Sequence, residues 1–332
     1  MSQLEQMSGA QQVDAVLSGN LRVAARLITR AENGDPVIRD AVKQLYRHGG
    51  RAQTIGITGP PGAGKSTMLD QLVAKYRRHG KRVAVLAVDP SSPYSGGALL
   101  GDRLRMNRHD SDPDVFIRSM ATRGALGGLA TAVGDALTIM DAMGWDVIFV
   151  ETVGIGQSEM DVMRYASCIV LLQTALSGDE TQLSKAGILE VGDIFVVNKA
   201  DVAGSHRMVN ALREMLHSRN DQNTLRGWYP DVVATEATTG RGIDELYEKI
   251  QRRFDFLSTH PAAAQELSLT QLRARAFEIA KDVIGRRIEH ELDGRGTDPQ
   301  LLLDALSRKI DPYDLSDFLF GKASASCDFS AD

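Results

Sequence analysis

The chain of 332 residues predicts an α/β fold, a doubly wound and mostly parallel sheet, and three observations predict it. Short continuous runs of Val, Ile and Leu, such as those at 83–88 and 194–197, read as strands covered on both faces. Segments with helical apolar spacing separate these runs, as βαβ units require. One strand-to-helix junction reads Gly59-Pro60-Pro61-Gly62-Ala63-Gly64-Lys65-Ser66, the spacing of a phosphate-binding loop in the context that such a loop needs.

Taken in order, residues 11–48 carry helical spacing: Val13, Val16 and Leu17, then, after Ser18-Gly19-Asn20, Leu21, Ala24, Ala25, Leu27 and Ile28. Asp35-Pro36 opens a further short helix that ends at Gly49-Gly50. A helical extension over 1–50 is the expectation. An α/β domain over 51–258 follows, with strands at 54–57, 83–88, 115–117, 147–150, 169–172, 194–197 and 232–235. Helices are expected at 65–79, 126–143, 181–189, 207–217 and 242–256. After His260-Pro261 and an alanine-rich linker, the region 259–332 turns all-helical. Leu269, Leu272, Ala276, Ile279 and Val283 repeat at steps of three and four, as a coiled-coil seam does, and Asp298-Pro299 and Asp311-Pro312 open two more helices. That stripe suits a dimerisation arm, and the other reading is three helices packed on their own α/β domain.

The composition excludes several function classes. A net charge of −5 without any Lys/Arg-rich tract leaves no electrostatic footprint for nucleic acid or anionic lipid. Cys168 and Cys327 make neither a disulfide framework nor a Cys-x-x-Cys metal pair, which suits a reducing cytoplasm. Residues 1–14 are polar and no apolar run approaches the ~18 residues of a membrane span, so neither a signal peptide nor a transmembrane helix is expected. A cytoplasmic protein acting on small phosphates and on other proteins is the expectation.

The chemistry concentrates at strand ends. From Gly59 through Pro61, Gly62, Ala63 and Gly64 to Lys65, Ser66 and Thr67, backbone N–H groups are expected to wrap phosphate. Lys65 then reaches the terminal phosphates and the Ser66 hydroxyl is free for Mg²⁺. Asn198-Lys199-Ala200-Asp201 directly follows an apolar strand, where a nucleotide base lies in such a domain. The Asp201 carboxylate there accepts two hydrogen bonds from guanine, a pair adenine cannot offer, so GTP and GDP are the expected ligands. Asp89 and Glu151 end buried strands and Asp102 sits in an irregular stretch; with Ser66 they form a candidate metal shell. Gly154 and Gly156 suit a loop that approaches a γ-phosphate by its backbone. The stretches 91–106 and 177–185 read as switch loops, with Lys185 facing either phosphate, a partner or plain solvent.

In this order, Gly59 to Ser66, Val88-Asp-Pro-Ser-Ser92, Gly96-Gly-Ala-Leu-Leu-Gly-Asp102, Glu151-Thr-Val-Gly-Ile-Gly-Gln-Ser-Glu159 and Asn198-Lys-Ala-Asp201 make the chain resemble the metallochaperone group of P-loop GTPases. Within that group it resembles the MeaB, ArgK and MMAA family, chaperones of adenosylcobalamin-dependent acyl-CoA mutases, over roughly residues 15–320. The resemblance implies a homodimer, a slow GTPase stimulated by its partner mutase, and a possible second partner in the adenosyltransferase. It implies catalytic roles for Lys65, Glu151, Asp102 and Lys185, and guanine contacts for Asn198, Lys199 and Asp201. Two stretches depart from the family pattern: Thr174-Ala-Leu-Ser-Gly-Asp-Glu-Thr-Gln182 with a single lysine at 185, and Arg118-Ser-Met-Ala121. Both put the partner's identity in question rather than the nucleotide site. A kinase acting on a small molecule or transport protein is the competing reading, since a phosphate-binding loop serves transfer to water and to a substrate alike.

Overall fold

A computed structural model describes residues 7–90, 107–109, 111–122, 128–152, 163–175, 192–219, 227–292 and 299–325. The chain starts with helices α1 (Gly9–Leu17) and α2 (Leu21–Glu32), a 3-10 turn (Pro36–Ile38) and α3 (Arg39–Tyr46). Ser8 and Gln11 close a capping box on α1, the Asn20 side chain caps α2, and Asp35 with Pro36 starts the 3-10 turn. The apolar stripe read from the sequence is the buried one: Val13, Val16, Ala24, Leu27, Ile28 and Leu45 share a core with α5 (Gly128–Ala142).

Among the described residues one sheet is present, with strands β1 (Gln53–Thr58), β2 (Val83–Pro90), β3 (Val115–Thr122), β4 (Val147–Thr152), β5 (Cys168–Thr174), β6 (Ile194–Asn198) and β7 (Asp231–Thr235). Their order is β3-β2-β4-β1-β5-β6-β7, and every recorded pair within it is parallel. Helix α4 (Lys65–Arg78) and α7 (Ile243–Thr259) cover one face, packing on Ile55, Ile57, Phe149 and Val170. Helix α5 and the N-terminal helices cover part of the other through Leu86, Ile148 and Val150, and α6 (Ser205–Arg219) covers Leu171, Phe195 and Val197. Because β1 lies between β4 and β5, the loop leaving β1 emerges at the middle of the carboxyl edge, where ligands bind in open α/β sheets.

Two expectations shift. Strand β3 runs past 117 to Thr122, because β2 supplies a ladder partner as far as Pro90 and α2 covers Arg118, whose guanidinium reaches Thr29 Oγ1 at 2.9 Å and Glu32 Oε2 at 3.3 Å. The alanine-rich segment after His260 is not a linker but the first turn of α8 (Pro261–His290), with proline at the position where its missing N–H costs nothing and alanines behind it. The helix expected at 181–189 lies outside the described residues.

Helices α9 (Pro299–Leu306) and α10 (Pro312–Ala325) follow, and α8 lies along α5 with α10 against it. The face that α8 turns to the body is polar. Gln271 donates to the Ala166 carbonyl at 2.9 Å, Arg275 pairs with Asp135 of α5 at 3.4 Å, and Glu278 and Asp282 are buried. Arg286 pairs with Asp282 and donates to the Gly34 carbonyl at 3.2 Å. Leu269, Leu272 and Ala276 of the predicted seam are exposed, with Ile279 and Val283 half-buried.

Candidate nucleotide site

The first turn of the loop is shaped by close approach. At Gly59 (φ +151°) a side chain would come within 2.5 Å of the Leu172 carbonyl oxygen, so the loop can cross β5 only as glycine. Gly64 (φ +91°) leads into α4, and the Asn198 amide occupies the space where its side chain would stand. Lys65 is buried and donates to the Gly59 and Pro60 carbonyls at 2.8 and 3.0 Å, which holds its ammonium across the mouth of the loop. Pro61 and Gly62 are exposed at the rim, Ala63 is buried beneath it, and Thr67 faces outward from α4.

Alternation along β4 puts Glu151 on the same side as Phe149, towards α4, and there the Ser66 hydroxyl donates to Glu151 Oε1 at 2.7 Å. On the opposite side of β4 the Thr152 hydroxyl donates to Thr58 Oγ1 at 3.0 Å, locking the ends of β4 and β1 together. A hydroxyl and a carboxylate at hydrogen-bond distance, both buried, form a hard-oxygen donor set that fits Mg²⁺ and not a thiophilic metal. Asp89 is the penultimate residue of β2, in register with Ala121; its side chain, like all of Asp102, Gly154 and Lys185, lies outside the described residues.

Asn198 ends β6 and ties three segments together. Its Nδ2 donates to the Ala63 carbonyl at 2.7 Å, and its Oδ1 accepts from Thr235 Oγ1 at 3.0 Å and from the Ala237 N–H at 3.1 Å. The side chain thus holds the phosphate loop to the end of β6 and to the segment after β7. Lys199 adopts φ +57°, an uncommon conformation for a residue with a side chain, which turns the chain at the strand end. Ser205 Oγ donates to the Ala200 carbonyl at 2.8 Å, and Asp201 is left exposed beside it. The structure therefore brings the phosphate loop, Glu151 and Asn198 to one edge. Thr235 and Ala237, which complete the bonding of Asn198, are residues the sequence reading missed; Thr235 is the last residue of an apolar strand and Ala237 acts through its backbone N–H, so neither forms a recognisable spacing with Asn198.

At the far end of β6, away from this edge, Asp193 accepts from the Ile169 N–H at 2.9 Å and pairs with Arg253 at 3.0 Å. Burial pushes its carboxyl up to about 6 against the pull of Arg253. Arg253 in turn lies over the Trp228 ring, 5.1 Å from its centroid.

Comparison with known proteins agrees with this geometry. Residues 24–292 match the model of the family described as methylmalonyl Co-A mutase-associated GTPase MeaB. A protein of Pyrococcus abyssi assigned as a GTPase is 44% identical over 307 residues, covering 92% of this chain and 94% of its own length. GTPase ArgK of Escherichia coli is 37% identical over 73% of this chain and 74% of its own length. The mouse methylmalonic aciduria type A homolog, mitochondrial, is 33% identical over 83% of this chain and 67% of its own length. Among solved structures, one described as an LAO/AO transport system kinase superposes with a TM-score of 0.63 at 25% identity, covering 94% of this chain and 96% of that one. Among the described residues, no helix is long and apolar enough to cross a membrane. The chain belongs to the MeaB family of P-loop GTPases: it binds guanine nucleotide and hydrolyses GTP.

Proposed function

We propose that this GTPase is a chaperone of an adenosylcobalamin-dependent acyl-CoA mutase, gating the loading of the cofactor and protecting or reactivating the mutase, with the mutase's adenosyltransferase as a further partner. The observation that carries the reading is the family match over 24–292, in a family described by its association with methylmalonyl-CoA mutase. It is joined to a site in which the Asn198 side chain couples the phosphate loop to the loop after β7.

In this reading Gly59, Pro61, Gly62, Ala63, Gly64 and Thr67 supply backbone and rim to the phosphates, and Lys65 leaves its carbonyl partners to neutralise them. Asp201 and Lys199 receive the guanine base, placed by Asn198. Ser66, Glu151, Asp89 and Asp102 would hold Mg²⁺, which when bound supplies charge neutralisation to the departing phosphate. Glu151 also orients the Ser66 hydroxyl. Gly154 and Lys185 belong to loops that answer the γ-phosphate and through which a bound partner raises the rate. The chain divides into a helical extension (1–50), the GTPase domain (51–258) and a helical arm (259–332) that dimerises through the exposed stripe of α8. A cytoplasmic location suits this role.

The test is GTP turnover with and without cobalamin-dependent acyl-CoA mutases of the host. Stimulation by one of them, lowered in Lys185→Ala while intrinsic turnover stays near wild type, is the expected result. No stimulation by any mutase, together with phosphate transfer to an added small molecule, would replace the reading with the kinase one.

A further inference from the structure

Helix α3 buries one side and leaves the other open to solvent. Ala41, Val42 and Leu45 face the core shared with α1 and α5, whereas Arg39, Lys43, Tyr46 and Arg47 are exposed. Arg39, Lys43 and Arg47 follow at steps of four, so they form a row about 12 Å long on one face of the helix. Tyr46, three residues from Lys43, flanks the row; it is 56% exposed, and the Arg275 guanidinium lies 5.2 Å from its ring centroid. Val37, 69% exposed, stands just before the row.

The charge of this face runs against that of the chain. Residues 39–51 hold Arg39, Lys43, Arg47 and Arg51 against a single acid, Asp40, in a chain of net charge −5. Lys43 and Asp40 approach to 3.6 Å with both side chains more than half exposed, a pair that water screens heavily. Arg39, Arg47 and Arg51 have no acidic partner among the described residues. A second copy does not suit such a face, because a two-fold axis would set the row against itself, cation on cation. Nucleic acid is held by roughly six to ten phosphate contacts, more than this row offers. A membrane-binding helix sinks its apolar face into lipid, and that face of α3 is already buried in the protein core. Arginine and tyrosine together, opposite complementary charge, are the composition of a protein interface.

The row also lies apart from the phosphates. Beyond Tyr46 the chain passes through Gly49-Gly50 into Gln53, the first residue of β1, so α3 ends at the amino edge of the sheet. The six residues of β1, about 20 Å, separate that edge from the phosphate loop.

We infer that Arg39, Lys43 and Arg47 with Tyr46 dock an acidic face of the partner protein, and that this contact contributes the same affinity whichever nucleotide is bound. The inference rests on the reading of the chain as a chaperone of an acyl-CoA mutase. It adds to that reading an anchor separate from the loops that answer the γ-phosphate.

The experiment measures binding of the full chain to the host's cobalamin-dependent acyl-CoA mutases by surface plasmon resonance, with GDP and with a non-hydrolysable GTP analogue, at low and at high salt. Intrinsic GTP turnover and thermal unfolding are run alongside. The combined variant Arg39→Glu, Lys43→Glu, Arg47→Glu keeps good helix formers at all three positions and should raise Kd about 30-fold at low salt, and by less at high salt. The loss should be the same within about twofold for the two nucleotides, and turnover at saturating mutase should match wild type. Glutamine at the same three positions should give a smaller loss in the same direction, and Tyr46→Ala a loss of about tenfold that salt does not change. Wild-type affinity in the glutamate variant, for a mutase that binds the wild-type chain, would overturn the anchor and leave the chaperone reading standing. A wild-type chain that binds no mutase removes that reading and the anchor with it. A loss confined to one nucleotide state would overturn the inference, as would a loss that accompanies a lowered unfolding temperature in both the glutamate and the glutamine variants. So would unchanged mutase affinity beside lost capture by phosphatidylserine vesicles, which would assign the row to a lipid surface.

Discussion

Replacing Asn198 by alanine should damage the protein before any nucleotide is added. The side chain is 2% exposed and makes three hydrogen bonds, one to the Ala63 carbonyl and two from Thr235 and Ala237. Removal strands an N–H, a hydroxyl and a carbonyl; the Thr235 hydroxyl can rotate towards another acceptor, but the two backbone groups cannot. At about 1–3 kcal/mol for each buried group left unsatisfied, plus the void, the loss is on the order of 3–5 kcal/mol. In a chain of this size each kcal/mol moves the unfolding midpoint by roughly 2–4 °C, so the nucleotide-free protein should melt roughly 6–20 °C lower. GDP affinity should also fall, by tenfold or more, because the phosphate loop loses its tie to β6. Asn198→Asp, which sets a carboxylate oxygen against the Ala63 carbonyl, should be worse still. Asp201→Asn is the contrast: exposed in the free protein, it should leave the nucleotide-free midpoint in place and shift preference from GTP towards xanthosine triphosphate. Differential scanning calorimetry without nucleotide, followed by titration with a fluorescent GDP, reads both quantities. A nucleotide-free midpoint of Asn198→Ala within a degree or two of wild type would refute the reasoning, since the three bonds would then be contributing nothing.

Three further outcomes are expected. Lys65→Ala should abolish tight GTP binding whereas Glu151→Ala should lower turnover more than affinity, which equilibrium binding and single-turnover rates distinguish; equal loss of binding in both would make Glu151 structural only. Leu272→Asp with Ile279→Asp puts two charges on the outward stripe of α8 and should give a folded monomer that still binds GTP, read by sedimentation; a wild-type chain that is monomeric would refute the dimer. For Asp193 the folded carboxyl titrates near 6 and the unfolded one at 3.8, so the folded state holds the proton longer and this group's contribution to stability falls as pH rises from about 4 to about 6. Asp193→Asn lacks that slope: relative to wild type it should gain by as much as about 3 kcal/mol across the window and stay level above it, and a difference that does not vary with pH would contradict the assigned shift.

What could be read from the sequence was local. Gly59 to Ser66, Glu151 and Asn198 announce themselves because each follows an apolar run whose length and composition already mark a strand, and parallel sheets place such ends on one edge. The partners that complete the site are not local. Ala63 meets Asn198 across 135 residues; likewise at the opposite edge, away from the site, Asp141 of α5 receives the N–H groups of Gly50, Arg51 and Ala52 from about ninety residues away. No spacing rule connects such pairs. Helix α8 shows a different limit: Gln271, Arg275, Glu278 and Asp282 repeat at steps of four and three just as the apolar stripe does, but a reading weighted by hydrophobicity follows Leu269 and Leu272 and passes over the polar face that meets the body. The alanines at 262–264 read as a linker because composition alone separates a flexible spacer poorly from a helix entered through proline.

The position of β1 has a kinetic consequence. Of the strands of this sheet it is the first to be synthesised and the fourth in order, flanked by β4 on one side and β5 on the other. A growing chain that has reached Arg78 holds the entire phosphate loop and its helix, yet has neither neighbour on which to lay β1. Ribosomes extend the chain at about 5–20 residues per second, so several seconds pass before residues 147–174 supply both flanks, and longer before Asn198 and Ala237 arrive to brace the loop. Throughout that interval Ile55 and Ile57 have no flanking strand to join, and α4 can reach only the β2–β3 pair. Guanine nucleotide can act as a folding ligand only after most of the GTPase domain has left the ribosome, and a truncated product ending before β6 should be unable to be rescued by GTP at any concentration.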